Sequence, residues 1–160
     1  MRIPGLRVGV DMVSIPELAS MVETSGPTFL HSCWTRSEQA YCDGSIARLA
    51  VRWAAKEATM KALGHGIGEI DPLDVEVHAV EGEAPDLRLH NTAADHARAA
   101  GLDEIVLSLT HEADFALAFV VAFGPGPGTG HLDRSSFVSL LADGVAIGRA
   151  GLESKFLRGH

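Results

Sequence analysis

Two acidic residues and a lysine are the side chains of this sequence best suited to metal or phosphate chemistry. Glu57 and Lys61 are four residues apart in RWAAKEATMKALGHGIGEI, so they share one face if this segment is helical. Alone, such a pair is more often a solvated surface pair. Asp11 lies in the apolar stretch RVGVDMVSI, where a carboxylate needs a hydrogen bond, an ion partner or a metal. A hard cation would need a second carboxylate, and Glu57 is the natural one.

Polar or flexible residues follow two of the apolar segments. Gly64, Gly66 and Gly68 come directly after the Glu57–Lys61 segment, although one glycine is enough to end a helix. The extra glycines favour a loop that a ligand can approach closely. Further on, SLTHE places His111 at the end of an apolar strand. It is either an ordinary strand end with an exposed histidine or a group of donors for phosphate.

Short β segments and amphipathic helices would position these residues. The predicted strands are RVGVDMVSI, which we expect to be buried, LDVEVHAV, PDLRLH, EIVLSLTHE and FALAFVVAFG. The predicted helices are PELASMVETSG, one that begins at a capping box of Thr35 and Glu38, one over Ser45 to Leu63, and one over Thr92 to Gly101. The mixed order predicts an α+β fold.

Composition limits the classes of function. The chain has 160 residues, and 46% of them are hydrophobic. Its net charge is −8 and it has no Lys/Arg cluster, which argues against nucleic-acid binding. No run of about 18 apolar residues predicts a membrane span, and no secretory signal is recognisable. Cys33 and Cys42 lack metal-type spacing, so we expect reduced thiols and a cytoplasmic protein.

The composition changes at GPGPGTG, which predicts a linker at residue 124. We therefore expect a domain over 1–123 and a C-terminal extension over 124–160. The extension is either dispensable or involved in a subunit interface or in partner choice.

Four blocks of the chain resemble the holo-acyl-carrier-protein synthases, the small single-domain 4′-phosphopantetheinyl transferases. They are GVDMVSI, WTRSEQAYC, RWAAKEATMKALGHGIG and LSLTHEADFALAFVVA, in family order over Val8 to Phe123. The resemblance implies the fold of that family, with a small mixed or antiparallel sheet packed against a long helix. It also implies a homotrimer with active sites between subunits.

The resemblance assigns roles to the residues singled out above. Asp11 and Glu57 match the carboxylates that hold Mg²⁺, and Lys61 matches the lysine near the transferring phosphate. The implied contacts with coenzyme A are at Arg52, Lys61, Gly64, His65, Gly66 and His111. The implied reaction transfers the phosphopantetheine arm of coenzyme A to a serine of an apo acyl carrier protein and releases 3′,5′-ADP.

The block that meets the carrier protein departs from the family pattern. Ser14, Pro16 and Glu17 stand where the family has an acidic residue and, slightly later, an arginine. An acidic chain and an acidic carrier repel each other. Either the partner differs from the fatty-acid carrier, as a specialised, polyketide-type carrier would, or docking uses another surface, or transfer has been lost. Two alternatives remain: a non-catalytic module that binds coenzyme A or acyl carriers, and an acyl-thioester enzyme on the same scaffold.

Overall fold

The computed structural model describes residues 5–127, which form an α+β fold as predicted. The strands are β1 (Leu6–Ser14), β2 (Val75–His78), β3 (Asp86–Leu89), β4 (Glu104–Glu112) and β5 (Phe115–Phe123). The helices are α1 (Ile15–Cys33), α2 (Arg36–Cys42), α3 (Ile46–Leu63) and α4 (Asn91–Ala99), with a 3-10 turn at Pro72–Asp74. One sheet has the order β1-β5-β4, β2 and β3 form a second, and all these pairings are antiparallel.

Helix α3 lies against the inner face of the three-stranded sheet. The sheet presents small side chains to it, and Ala118 of β5 is fully buried. Gly9 of β1 makes the closest approach: a Cβ built there would lie 1.8 Å from the carbonyl oxygen of Ala58. Only glycine permits this distance. The backbone of β1 is therefore pressed directly onto the middle of α3.

The ends of the helices follow their sequence signals. The Glu38 amide donates a hydrogen bond to the Thr35 hydroxyl, and the Thr35 amide donates one to the Glu38 carboxylate. The predicted capping box is therefore confirmed. Ser45 caps α3. The prediction that the first helix ends at Gly26 is confirmed by the non-helical backbone there, but the helical segment that follows it was not predicted. Gly26 has φ 64° and breaks the regular helix, but Pro27 follows it and helical structure resumes to Cys33.

A buried ion pair joins α3 to the second sheet. Lys56 Nζ lies 2.8 Å from Glu38 Oε2, and both side chains are fully buried. The ammonium also donates to the carbonyls of Pro72 and Val75, while Glu38 Oε1 accepts from the Val77 amide. Burial lowers the pKa of Lys56, against the opposing attraction of Glu38. This pair is a junction between α2, α3 and β2.

The expectation that the first strand is buried was wrong for one of its faces. Val8, Val10 and Met12 are 59%, 52% and 61% exposed. Their neighbours in register on the central strand include Phe119, which is also exposed. Alternate residues of a strand point to opposite faces, and α3 covers only the face that carries Gly9 and Asp11. The outer face of this sheet is an apolar surface of the described chain.

The described chain ends shortly after β5. The amides of Gly124 and Gly126 donate to the carbonyls of Gly5 and Gly101, so the first residues of the predicted linker are tied to the body of the fold. Most of the predicted extension, from residue 128 onward, lies outside the described residues. Among residues 5–127, no helix combines the length and apolar character that crossing a membrane requires.

Candidate active site

The structure brings Asp11 of β1 and Lys61 of α3 into direct contact, although they are 50 residues apart. Lys61 Nζ lies 2.6 Å from Asp11 Oδ1 and also donates to the carbonyl of Val10 at 3.3 Å. Asp11 is 11% exposed and Lys61 54% exposed, so the pair lies at the surface with its carboxylate largely covered. The need of the Asp11 carboxylate for a partner is met by an ion pair.

Glu57 lies one helical turn before Lys61 and takes part in the same cluster. Partial burial raises the pKa of the Glu57 carboxyl, the charge of Asp11 raises it further, and Lys61 opposes the shift. Asp11 and Lys61 therefore both act electrostatically on Glu57. The three predicted side chains form one cluster, which depends on the close contact of β1 with α3 at Gly9.

The donor set of this cluster fits Mg²⁺ better than a transition metal. Mg²⁺ is usually held by one or two carboxylates, with water and substrate phosphates completing its coordination. Asp11 and Glu57 would supply two hard oxygen ligands, and a shared cation would relieve the repulsion by which Asp11 raises the pKa of Glu57. No group of three or more histidine, cysteine or acidic ligands occurs in residues 5–127. The carboxylates would leave room for phosphate oxygens.

The glycine loop begins three residues after Lys61. Gly64 ends α3 in the left-handed conformation, with φ 81°. A Cβ built at Gly64, Gly66 or Gly68 would meet no atom within 4 Å, so the described residues leave space beside the loop. This openness agrees with a loop that a ligand approaches. The Gly66 amide, however, already donates to the Glu69 carboxylate at 3.4 Å.

Arg52 lies on a different face of α3 from the carboxylate cluster. It is five residues before Glu57, which corresponds to about 140° around the helix axis. The guanidinium lies 4.4 Å from the ring centroid of Tyr41, and its Nη1 donates to the carbonyl of Arg48. Arg52 is only 4% exposed, and its Nε has no hydrogen-bond partner among the described residues.

His111 is exposed near the end of β4 and does not contact the Asp11–Lys61 pair. On the central strand β5, His111 is in register with Ala116, and Asp11 is in register with Ala118. Ala116 and Ala118 are two residues apart and therefore point to the same face of the sheet. His111 therefore shares the sheet face of Asp11 but lies on the opposite edge strand. The structure places it beside the cluster rather than in it.

Two residues near the glycine loop were not singled out from the sequence. Glu69 pairs with His65 at 3.2 Å, and the ring of His96 in α4 lies 3.7 Å from that of His65. The spacing of four between His65 and Glu69 is a signal that the sequence contains. The contact with His96 depends on the packing of α4 and has no local sequence signature.

The comparison with protein families agrees with this geometry. The family model described as the 4′-phosphopantetheinyl transferase superfamily matches residues 7–120. The chain therefore belongs to this superfamily. The matched span contains all the predicted site residues and ends before the predicted C-terminal extension.

Individual relatives share the same span. The holo-[acyl-carrier-protein] synthase of Herpetosiphon aurantiacus is 38% identical over 126 residues, covering 74% of this chain and 99% of that protein. The crystal structure of the Helicobacter pylori holo-[acyl-carrier-protein] synthase in complex with coenzyme A has a TM-score of 0.66 and 31% identity, covering 72% of this chain and 98% of that one. A second coenzyme A complex, that of the Chronobacterium ammoniagenes ACPS, has a TM-score of 0.67 and 29% identity, covering 74% of this chain and 97% of that one.

Proposed function

We propose that this protein is a holo-acyl-carrier-protein synthase, which transfers the 4′-phosphopantetheine arm of coenzyme A to a serine of an apo acyl carrier protein. The serine Oγ forms a bond to the β-phosphorus, the bond from that phosphorus to the bridging oxygen breaks, and 3′,5′-ADP leaves with the electron pair as the hydroxyl proton is released. The observation that carries the proposal is the cluster of Asp11, Glu57 and Lys61 beside an open glycine loop.

Within this proposal, each member of the cluster has a distinct task. Asp11 and Glu57 would hold Mg²⁺, which would supply positive charge to offset that of the phosphate oxygens. Lys61 is half exposed and beside Asp11, so its ammonium can turn from that carboxylate toward the transferring phosphate. Fixed positive charge where negative charge develops is the main protein contribution to phosphoryl transfer.

Other predicted residues would hold the nucleotide of coenzyme A. Arg52 would supply positive charge to an anion if its side chain turned outward, because its guanidinium packs on Tyr41 and its unpaired Nε is buried. Gly64 and Gly66 would let the nucleotide approach the backbone. His65 and His111 would add polar contacts, with His111 reaching from the far edge of the sheet.

We also propose that three copies of the chain assemble through the outer face of the three-stranded sheet. The resemblance to homotrimeric proteins suggests that the assembly has three subunits, and the exposed apolar face suggests which surface lies between them. Exposed apolar side chains are contributed by all three strands: Val8, Val10, Met12, Val106, Phe115 and Phe119. A contiguous apolar surface of this kind usually marks an interface.

The proposed carrier partner is specialised, of the polyketide type. Helix α1 contains no lysine or arginine and begins with Glu17 in its first turn. Such a helix does not attract an acidic carrier. A cytoplasmic location completes the proposal and is supported by Cys33 and Cys42, which are both free thiols.

Mass spectrometry of apo carriers tests the transfer directly. We expect the mass gain of phosphopantetheine on at least one carrier in the presence of coenzyme A and Mg²⁺. Asp11→Ala and Glu57→Ala should abolish it, whereas the exposed carboxylate variant Glu81→Ala should retain it. If no carrier gains mass while coenzyme A still binds, the proposal fails in favour of a non-catalytic binding module.

Light scattering tests the assembly. We expect a trimer for the unmodified protein and a monomer for Phe119→Glu, which puts a charge in the middle of the outer face. Ala99→Glu, on an exposed position of α4, is the matched control and should remain trimeric. An unchanged mass for Phe119→Glu would contradict the proposed interface.

A further inference from the structure

The glycine loop contains a histidine held by two neighbours. The His65 Nδ1 lies 3.2 Å from Glu69 Oε1, and the other oxygen of Glu69 accepts from the Gly66 amide. An ionised carboxylate only accepts hydrogen bonds, so Nδ1 must carry the proton in this contact. The remaining ring nitrogen, Nε2, has no hydrogen-bond partner within residues 5–127. His65 therefore has one nitrogen in use and one available.

His96 of α4 restricts the orientation of the same ring. The centroids of the His65 and His96 rings are 3.7 Å apart, with an angle of 34° between their planes. A ring stacked on one side and hydrogen-bonded at Nδ1 has little rotational freedom left. His65 is about one-third exposed, so its free edge can still reach a ligand beside the loop.

Glu69 presents an electrostatic difficulty for a loop that receives phosphate. The hydrogen bonds from His65 and Gly66 lower the pKa of the Glu69 carboxyl, so it is ionised at neutral pH. A carboxylate would repel an incoming phosphate unless a nearby positive charge offsets it. The imidazoles of His65 and His96 are the titratable groups that act on Glu69, while Asp95 and Arg98 on α4 pair with each other at 2.7 Å.

We propose that Glu69 and His96 are positioning residues that hold the His65 ring so that Nε2 binds a phosphate group of coenzyme A. This inference rests on the proposed function and adds two residues to its binding site. The imidazolium form of His65 donates from both nitrogens, to Glu69 at Nδ1 and to phosphate at Nε2. Binding through this ring is therefore stronger when His65 is protonated.

The test measures the dissociation constant of coenzyme A at about pH 5.5 and about pH 8, a range across which histidines commonly change charge. A phosphate monoester also titrates near pH ~6, so each variant is compared with the unmodified protein at the same pH. We expect His65→Thr to weaken binding by about tenfold at the lower pH, the size of one charge-assisted hydrogen bond, and by much less at the higher pH.

Variants of the two positioning residues separate orientation from charge. His96→Ala should weaken binding at the lower pH, whereas His96→Phe, which keeps a stacked ring, should restore it. Glu69→Gln should reduce the difference between the two pH values, because the imidazolium loses its carboxylate partner. His90→Thr is the matched control, since His90 also pairs with a glutamate, Glu76, at 3.0 Å but lies outside the loop. It should bind as the unmodified protein does.

Two outcomes would overturn the inference. One is a His65→Thr variant that shows the same weakening at both pH values, or none. The other is a similar effect of His65→Thr on pantetheine, which has no phosphate. If either outcome is seen while carriers are still modified at about pH 8, this inference fails and the proposed function stands. If coenzyme A does not bind at either pH and no carrier is modified, the proposed function fails with it.

Discussion

Helix α3 carries two lysine–carboxylate pairs that are alike in chemistry and opposite in surroundings. Lys56 and Glu38 are fully buried and 2.8 Å apart, and backbone groups complete their hydrogen bonds. Lys61 and Asp11 are 2.6 Å apart, but the lysine is 54% exposed. The first pair is surrounded by protein that leaves its ammonium no freedom, whereas the second is open on the side where a ligand can enter.

The difference shows why an ion pair indicates function only together with its environment. A buried pair whose every hydrogen bond is satisfied has no capacity for another partner, so it acts structurally. A half-exposed pair contributes little to stability, and its lysine can exchange one anion for another. Five residues along one helix are enough to separate the two roles.

The largest expected effect is on stability, from breaking the buried pair. Lys56→Met removes the ammonium and leaves Glu38 buried without a counterion, which should lower the free energy of unfolding by about 3–5 kcal/mol. Urea denaturation measures this change. The double variant Lys56→Met/Glu38→Gln should recover part of the loss, because glutamine is neutral and still suits the capping box. A single variant as stable as the unmodified protein would contradict the structural role.

An intermediate effect is expected where β1 touches α3. Gly9→Ala would place a Cβ 1.8 Å from the Ala58 carbonyl oxygen, so strand and helix must separate. We expect a loss of about 1–3 kcal/mol, as for other overpacked positions, together with a large loss of transfer, since Asp11 moves away from Lys61. Measuring both on the same sample tests this link. Full transfer by Gly9→Ala would show that the cluster tolerates displacement.

Replacing the exposed lysine should separate activity from stability. Lys61→Met should lower the free energy of unfolding by clearly less than Lys56→Met does, because the Lys61 ammonium is 54% exposed and water can take its place beside Asp11. Transfer should nevertheless fall by about 10²–10³-fold, the range for one electrostatic contact in a reacting site. Steady-state rates on an apo carrier measure the second effect. Equal behaviour of the Lys56 and Lys61 variants would remove the contrast between the two pairs.

The smallest expected effect concerns the pH dependence of stability. The pKa of Glu57 is raised in the folded protein above its ordinary value of 4.5, first by burial and then by Asp11. Folding therefore favours the protonated carboxyl, and this contribution is lost as the pH rises through the raised pKa. Glu57→Gln should be slightly more stable than the unmodified protein at neutral pH and no more stable below about pH 4. Denaturation midpoints across that range would reveal it.

Much of this arrangement was predictable because its signals are local. The limits of β4 and the last residue of α3 agree with the sequence pattern, and the capping box at Thr35 was recognised. The family resemblance and the difficulty of burying a lone carboxylate predicted that Asp11 and Glu57 share a cation, with Lys61 near the phosphate. The direct contact of Asp11 with Lys61 was not predicted. The assignments of individual site residues to coenzyme A and Mg²⁺ stay predictions until they are tested.

The rest depends on packing between elements that are far apart in the chain. The capping role of Glu38 was visible, but its pairing with Lys56 was not, because nothing local to either residue indicates which helices touch. The exposure of Val8, Val10 and Met12 was missed because alternation alone does not say which face a helix will cover. On β1, the face with Gly9 admits α3, and the larger side chains of Val8, Val10 and Met12 are left outside.

The overlap that constrains Gly9 involves a main-chain atom of α3, the carbonyl oxygen of residue 58. Every amino acid has that oxygen, so no replacement at position 58 can make room for a larger residue in the strand. A search for compensating mutations of Gly9→Ala should therefore find none at the point of contact. Any that arise must act at a distance, by shifting the whole helix.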